Sequence, residues 1–192
     1  MKNKRDKIKV LLKDLFSGEK YYSIILYIVI IYLLFVYVAL PSIYAFTPIS
    51  YISAVVSPSM EHIQPGIQIT YNAWLSEHGF NSSVVSSWPF QNGINIGDLV
   101  IAYKATPAQI KVGDVIIYTA TYEGVTEQII HRVINETYIN GTFYYTTKGD
   151  ANDESLPFEI NIPYNKIIGV VGTDIPYLGY PRYLLYALGN LI

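Results

Sequence analysis

Three short segments carry side chains whose types and spacing could do chemistry: Ser57-Pro58-Ser59-Met60, then His131-Arg132, then Lys148-Gly149-Asp150-Ala151-Asn152-Asp153. Together they supply a nucleophile, a base and an orienting acid. A serine hydroxyl is a poor nucleophile at neutral pH, so it needs a neutral imidazole within hydrogen-bond reach and a third group to fix the ring's tautomer. The chain contains no cysteine, which excludes disulfides, zinc thiolate sites and a cysteine nucleophile together. His62 and His78 are rival bases, and Lys148 could in principle act as a lysine base. The acids from Asp150 to Glu154 have the composition of part of a calcium loop. Ser155 stands where that loop needs its glycine and Asn161 where it needs its glutamate, so no metal and no cofactor is expected.

These side chains must be held by something, and the spacing of apolar runs predicts strands. β-branched and apolar stretches recur at 52–56, 99–103, 115–121, 128–134, 142–147 and 166–171. Between them stand Pro65-Gly66, Gly97-Asp98, Gly113-Asp114, Glu123-Gly124, Asn140-Gly141 and Gly149-Asp150, which is turn chemistry. A mostly β, antiparallel catalytic domain follows. Asn140-Gly141 is the clearest hairpin, because both residues accept positive φ in a type I′ turn. Residues 72–95 are the least regular part and read as an insertion.

Residues 21–40 are almost wholly apolar and, at about 1.5 Å per residue, reach roughly the 30 Å of a bilayer core. They predict a single transmembrane helix that Pro41 interrupts. A cleavable signal peptide would carry a shorter apolar region and a small-x-small site, which is missing here. Residues 1–20 hold seven Lys and Arg against three acids, and the rest of the chain six against twelve. That asymmetry predicts a cytoplasmic basic tail (1–20), an anchor (21–45) and an extracytoplasmic domain (46–192). Asn-x-Ser/Thr sequons at Asn81, Asn135 and Asn140 all fall in the outer part. The folded part is acidic and would repel phosphate, which excludes nucleic acid as a partner.

Behind that anchor, Ser59-Met60, Gly97-Asp98, Gly113-Asp114, His131-Arg132 and Lys148-Gly149-Asp150 follow in an order that resembles the type I signal peptidases of the archaeal and endoplasmic-reticulum kind. In that family histidine replaces the lysine base of the bacterial enzymes. Gly169-Val170-Val171-Gly172 and residues 175–180 extend the likeness to about Tyr180. The resemblance implies a serine endopeptidase in the cell membrane that removes signal peptides from exported preproteins, with Ser59 as nucleophile and His131 as general base. It also implies Asp150 or Asp153 as the acid, Ser57 as an oxyanion donor, and Lys148 as a structural residue. Preproteins, membrane lipids and the translocation machinery are the partners it implies. The chain departs from the family in two places. His62 stands where relatives have proline, and relatives' second aspartate beyond the Gly-Asp pair has no clear counterpart, which leaves Asp150 and Asp153 both open. The alternative is a membrane-anchored β domain that binds a surface partner and has no catalysis.

Overall fold

A computed structural model describes residues 9, 21–63, 66–122 and 124–189. The rest of the expected basic tail, Pro65 and Glu123 of two expected turns, and the last three residues lie outside the described residues. The chain divides into two compact units, Met1–Thr47 and Pro48–Ile192.

The first unit contains helix α1 (Tyr21–Phe46), whose 26 residues reach about 39 Å. Pro41 does not interrupt it as expected. A proline inside a helix lacks an N–H and pushes against the carbonyl four residues back. Here the preceding residues, Phe35–Ala39, widen into a π turn in which the Leu40 N–H bonds to the Phe35 carbonyl, and the helix continues past the proline. It stops where Thr47, before Pro48, donates both its N–H and its hydroxyl to the Ile43 carbonyl.

The second unit is built on one antiparallel sheet, the fold class anticipated. Among the described residues it has seven strands: β1 (Ile49–Ala54), β2 (Leu99–Tyr103), β3 (Val115–Tyr122), β4 (Val125–Ile139), β5 (Thr142–Lys148), β6 (Ile162–Pro163) and β7 (Ile167–Ile175). Their spatial order is β1-β2-β7-β3-β4-β5-β6. The β4–β5 hairpin turns on Asn140 and Gly141, whose φ values of 49° and 83° are those the sequence called for.

Strand β4 is longer than the apolar pattern suggested because it serves two partners. Residues 125–132 pair with β3 and residues 132–139 with β5, so the change of partner falls beside His131. Among the described residues, 125–131 therefore have no strand partner on the edge away from β3. Both faces of the sheet are covered at its centre, where Val115, Ile116, Ile117 and Tyr118 of β3 are all fully buried. One cluster gathers Met60, Ile94, Val100 and Ile117, and the other Ile116, Tyr118, Val133 and Tyr145.

Residues 72–95 are not loose. Helix α2 (Ile67–Glu77) and the single turn α3 (Ser82–Val85) bury Tyr71, Leu75 and Trp88 in a third cluster. Aromatic anchors rather than a periodic apolar stripe hold this segment, which is why its pattern reads as irregular.

Candidate active site

Ser59 sits in a 3-10 turn, Pro58–Met60, directly after β1. Proline suits the first position of such a turn, where an N–H has no partner, and Ser57 caps it by accepting the Ser59 N–H at 3.3 Å. Met60 is buried in the core and pins the turn from below. From the side, the Ala151 N–H donates to the Ser59 carbonyl at 2.8 Å, which ties the turn to the 149–152 loop. Ser59 itself is half-buried and Ser57 exposed.

His131 comes to the same place from β4. It is 5% exposed, and its Nδ1 is hydrogen-bonded to Glu159 Oε1. With Nδ1 engaged, Nε2 is the free nitrogen. A β-carbon on Gly149 would stand 2.9 Å from that Nε2 and 2.8 Å from the Ser59 carbonyl oxygen. Gly149 is thus the spacer that lets the serine turn and the imidazole close on one another. Gly149→Ala should push them apart, measurable as a fall in kcat together with a lower unfolding midpoint, because the added carbon displaces the Ser59 backbone.

The carboxylate on His131 was not anticipated. Glu159 is fully buried in the 3-10 turn Pro157–Glu159, and its Oε2 accepts the Leu156 N–H at 2.6 Å. Tyr118 O–H reaches Oε1 at 3.5 Å, and Thr147 donates to the Tyr118 oxygen at 2.9 Å. Burial and the neighbouring Glu159 carboxylate push the Tyr118 phenol above its ordinary value, despite the Thr147 bond, so it remains a donor. The one local hint in the sequence is Leu156-Pro157-Phe158-Glu159, a proline-led turn ending in an acid.

Neither Asp150 nor Asp153, the two acids expected, is hydrogen-bonded to His131. Asp153 is exposed. Asp150 is buried, and its oxygens are taken by Arg132 Nε at 2.9 Å, Arg132 Nη2 at 2.7 Å and His62 Nε2 at 3.1 Å. Burial alone would raise its pKa, but the His62 hydrogen bond and the Arg132 guanidinium outweigh it and hold the carboxyl below the usual range. Strand alternation explains the division: His131 and Arg132 are neighbours, so they point to opposite faces, one to Glu159 and the other to Asp150.

Arg132 also donates to the carbonyls of Pro89 at 2.9 Å and Gly113 at 2.8 Å, locking the end of the 72–95 segment to the sheet. Removing one member of a buried, hydrogen-bonded ion pair leaves the other charge uncompensated. Arg132→Leu should therefore cost about 3 to 5 kcal/mol in urea unfolding. Because the folded-state pKa of Asp150 is depressed, its contribution is complete above about pH 4 and disappears as pH falls through that lower value.

The remaining candidates are structural in their contacts. Lys148 is buried and donates to the carbonyls of Gly149 at 2.9 Å and Asn152 at 2.7 Å, and it lies 4.7 Å from the Trp74 ring centre. Burial lowers its pKa despite the nearby acids. His62 bonds Gln91 through Nδ1 at 3.0 Å as well as Asp150, and exposed His78 stacks on Trp74. Asp150 is committed to Arg132 and His62, and among the described residues no group of three or more metal-binding side chains converges.

Ser59 and His131 open onto a groove of about 520 Å³. One wall is the chain from Tyr51 to Ser57, the other residues 126–131 on the free edge of β4, and Asn152 and Leu156 close one part of it. A nucleophile, an imidazole with one nitrogen held by a buried carboxylate, and an extended groove between two strand edges can together attack the carbonyl of an extended peptide.

No family model matches the chain. Over 108 residues it is 31% identical to the signal peptidase complex catalytic subunit SEC11 of Lodderomyces elongisporus, with 31% for that of Candida tropicalis and 32% for that of Candida dubliniensis. The aligned stretch covers 53% of this chain and 63% of each relative, a little under two thirds of the curated proteins it matches. Over about half of its length, then, the chain is similar to proteins named signal peptidase complex catalytic subunit SEC11.

Proposed function

We propose that this chain is a membrane-bound serine endopeptidase that cuts N-terminal signal peptides from exported preproteins. The observation that carries this reading is His131, held on Nδ1 by buried Glu159 and directed by Nε2 toward the Ser59 turn. The groove accepts the substrate as an added strand, its backbone pairing with the free edges of β1 and β4. The resemblance adds a preference for small residues at the first and third positions before the cut.

Ser59 Oγ attacks the scissile carbonyl while His131 Nε2 takes its proton, and the same proton then passes to the leaving amine. The imidazolium formed in between is stabilised by Glu159. Ser57 turns its hydroxyl hydrogen to the oxyanion, and the long Ser59 N–H to Ser57 contact lets that N–H move to the same oxygen. A single oxyanion donor of this kind is worth about 10² to 10³ in kcat. Orientation follows from the basic residues before α1, which keep the N-terminus in the cytoplasm and the catalytic unit on the outer face of the cell membrane.

Purified full-length protein in detergent, incubated with a preprotein, should release one mature fragment whose N-terminus follows a small-x-small sequence. Failure to cut any of several preproteins would overturn the reading. Lys148→Met should lose stability through its two carbonyl contacts yet keep most of its turnover per folded molecule, whereas a lysine base would lose it all.

A further inference from the structure

His62 is a buried titratable group that the mechanism above leaves idle, and the resemblance gives it no role. Its side chain is 3% exposed. Nδ1 faces the Gln91 carbonyl at 3.0 Å, and Nε2 faces Asp150 Oδ2 at 3.1 Å. A carbonyl and an ionised carboxylate can only accept, and Asp150 is ionised because Arg132 donates to both of its oxygens. A neutral imidazole carries one N–H and so can serve only one of the two partners. Its other nitrogen would aim a lone pair at an oxygen in a site closed to water, leaving a buried hydrogen bond unmade. A ring with both hydrogens satisfies both partners.

The groups packed about the ring agree with a positive charge there. Tyr71 of α2 lies against it with ring centres 4.8 Å apart, and burial raises the phenol above its ordinary value, so it stays neutral. Arg132 of β4 and Lys148 of β5 stand beyond Asp150 and Tyr71, and both donate to backbone carbonyls of their own. Among the described residues, Asp150 is the one anion bonded to this ring. The ring also joins three stretches of chain. Its own follows the Ser59 turn. The 149–152 loop holds the Ser59 carbonyl through the Ala151 N–H. The third, 91–94, returns the Ile94 N–H to the Met60 carbonyl at 2.9 Å and places Ile94 in the groove wall. A β-carbon on Gly93 would stand 2.5 Å from the Met60 carbonyl oxygen and 2.8 Å from the His62 nitrogen, so these stretches touch directly.

We infer that His62 is a buried imidazolium and a positioning residue, whose two N–H groups clamp the 149–152 loop and the 91–94 stretch around the Ser59 turn. Its effect on cleavage rests on the peptidase reading, whereas its charge does not. When the ring gives up a proton, the remaining hydrogen stays with the carboxylate, the stronger acceptor, and the Gln91 carbonyl is let go. The groove wall at Ile94 then loosens while Asp150 is still held. His131 must be neutral to accept the Ser59 proton, so the two histidines answer to pH in opposite senses.

Full-length protein with 15N-labelled histidine, in detergent near neutral pH, should give two ring N–H signals for His62. They are assigned by their absence from His62→Gln or, should that variant not fold, by their persistence in His78→Gln and His131→Ala. A single ring N–H with a bare second nitrogen overturns the inference. Over the alkaline range in which the second signal is lost, exchange of the Ile94 amide should quicken by about tenfold. Preprotein turnover should fall by about 10- to 100-fold over the same range, the scale of a small misplacement at a reacting centre. His62→Gln offers one donor atom, like the neutral ring, and should show the fast exchange and slow turnover already at neutral pH, with no further change across that range. Parental exchange and turnover in His62→Gln overturn the clamp. A protein that cuts no preprotein sinks the peptidase reading alone, since the ring signals and the Ile94 exchange still decide this one.

Discussion

Full-length protein carrying Ser59→Ala is expected to cleave a preprotein about 10⁴ to 10⁶ times more slowly than the parent, with KM little changed. The size of the loss follows from chemistry and the specificity from the fold. The bonds that hold the 58–60 turn use backbone atoms or Ser57: the Ser59 N–H to Ser57, the Glu61 N–H to the Pro58 carbonyl, the Ala151 N–H to the Ser59 carbonyl and the Ile94 N–H to the Met60 carbonyl. Removing one hydroxyl from a half-buried side chain leaves all four intact. The unfolding midpoint should stay where it was, and circular dichroism should not change. His131→Ala should be nearly as damaging, and the double variant no worse than either single one, because nucleophile and base act as a unit. Undiminished cleavage by Ser59→Ala would sink the assignment and leave the non-catalytic anchored domain as the better reading.

Glu159→Gln carries the second large effect, a fall of about 10⁴ in kcat. The glutamine side chain can still accept the Leu156 N–H, so the turn that presents it survives. What changes is the ring beside it. An amide N–H facing Nδ1 favours the tautomer with its hydrogen on Nε2, and such a ring cannot accept the Ser59 proton. A buried neutral partner also no longer stabilises the imidazolium. The pattern across three acids separates this role from a merely structural one: Glu159→Gln loses turnover with the fold retained, Asp150→Asn loses stability through Arg132 and His62, and Asp153→Asn changes neither. If Asp150→Asn or Asp153→Asn instead reproduced the loss of kcat at full stability, that aspartate and not Glu159 would orient His131.

Glu159 as the partner of His131 is not legible locally, because the resemblance points to the acids beside Gly149-Asp150, which are Asp150 and Asp153. Glu159 lies 28 residues from His131 along the chain and reaches it because the loop after β5 folds back through the Pro157–Glu159 turn. No local pattern encodes that return. The segment 72–95 is a similar case: its two short helices are stabilised by Trp88 and Tyr71 packing about Arg132, with ring centres 5.7 and 6.0 Å from the guanidinium carbon. Contacts of that kind leave no periodicity behind.

What the sequence determined by itself is whatever depends on neighbours along the chain. Alternating and apolar runs, Asn140-Gly141 and the other turn pairs specify strands and hairpins through backbone preference. A long uncharged stretch specifies one apolar helix long enough to cross a membrane, and the order of motifs behind it makes Ser59 and His131 candidates through the family resemblance. Tertiary structure decided which groups meet across the sheet. It gave His131 a glutamate and committed Asp150 to Arg132, because adjacent residues on a strand face opposite sides and a buried charge keeps whichever partner the packing brings within hydrogen-bond reach.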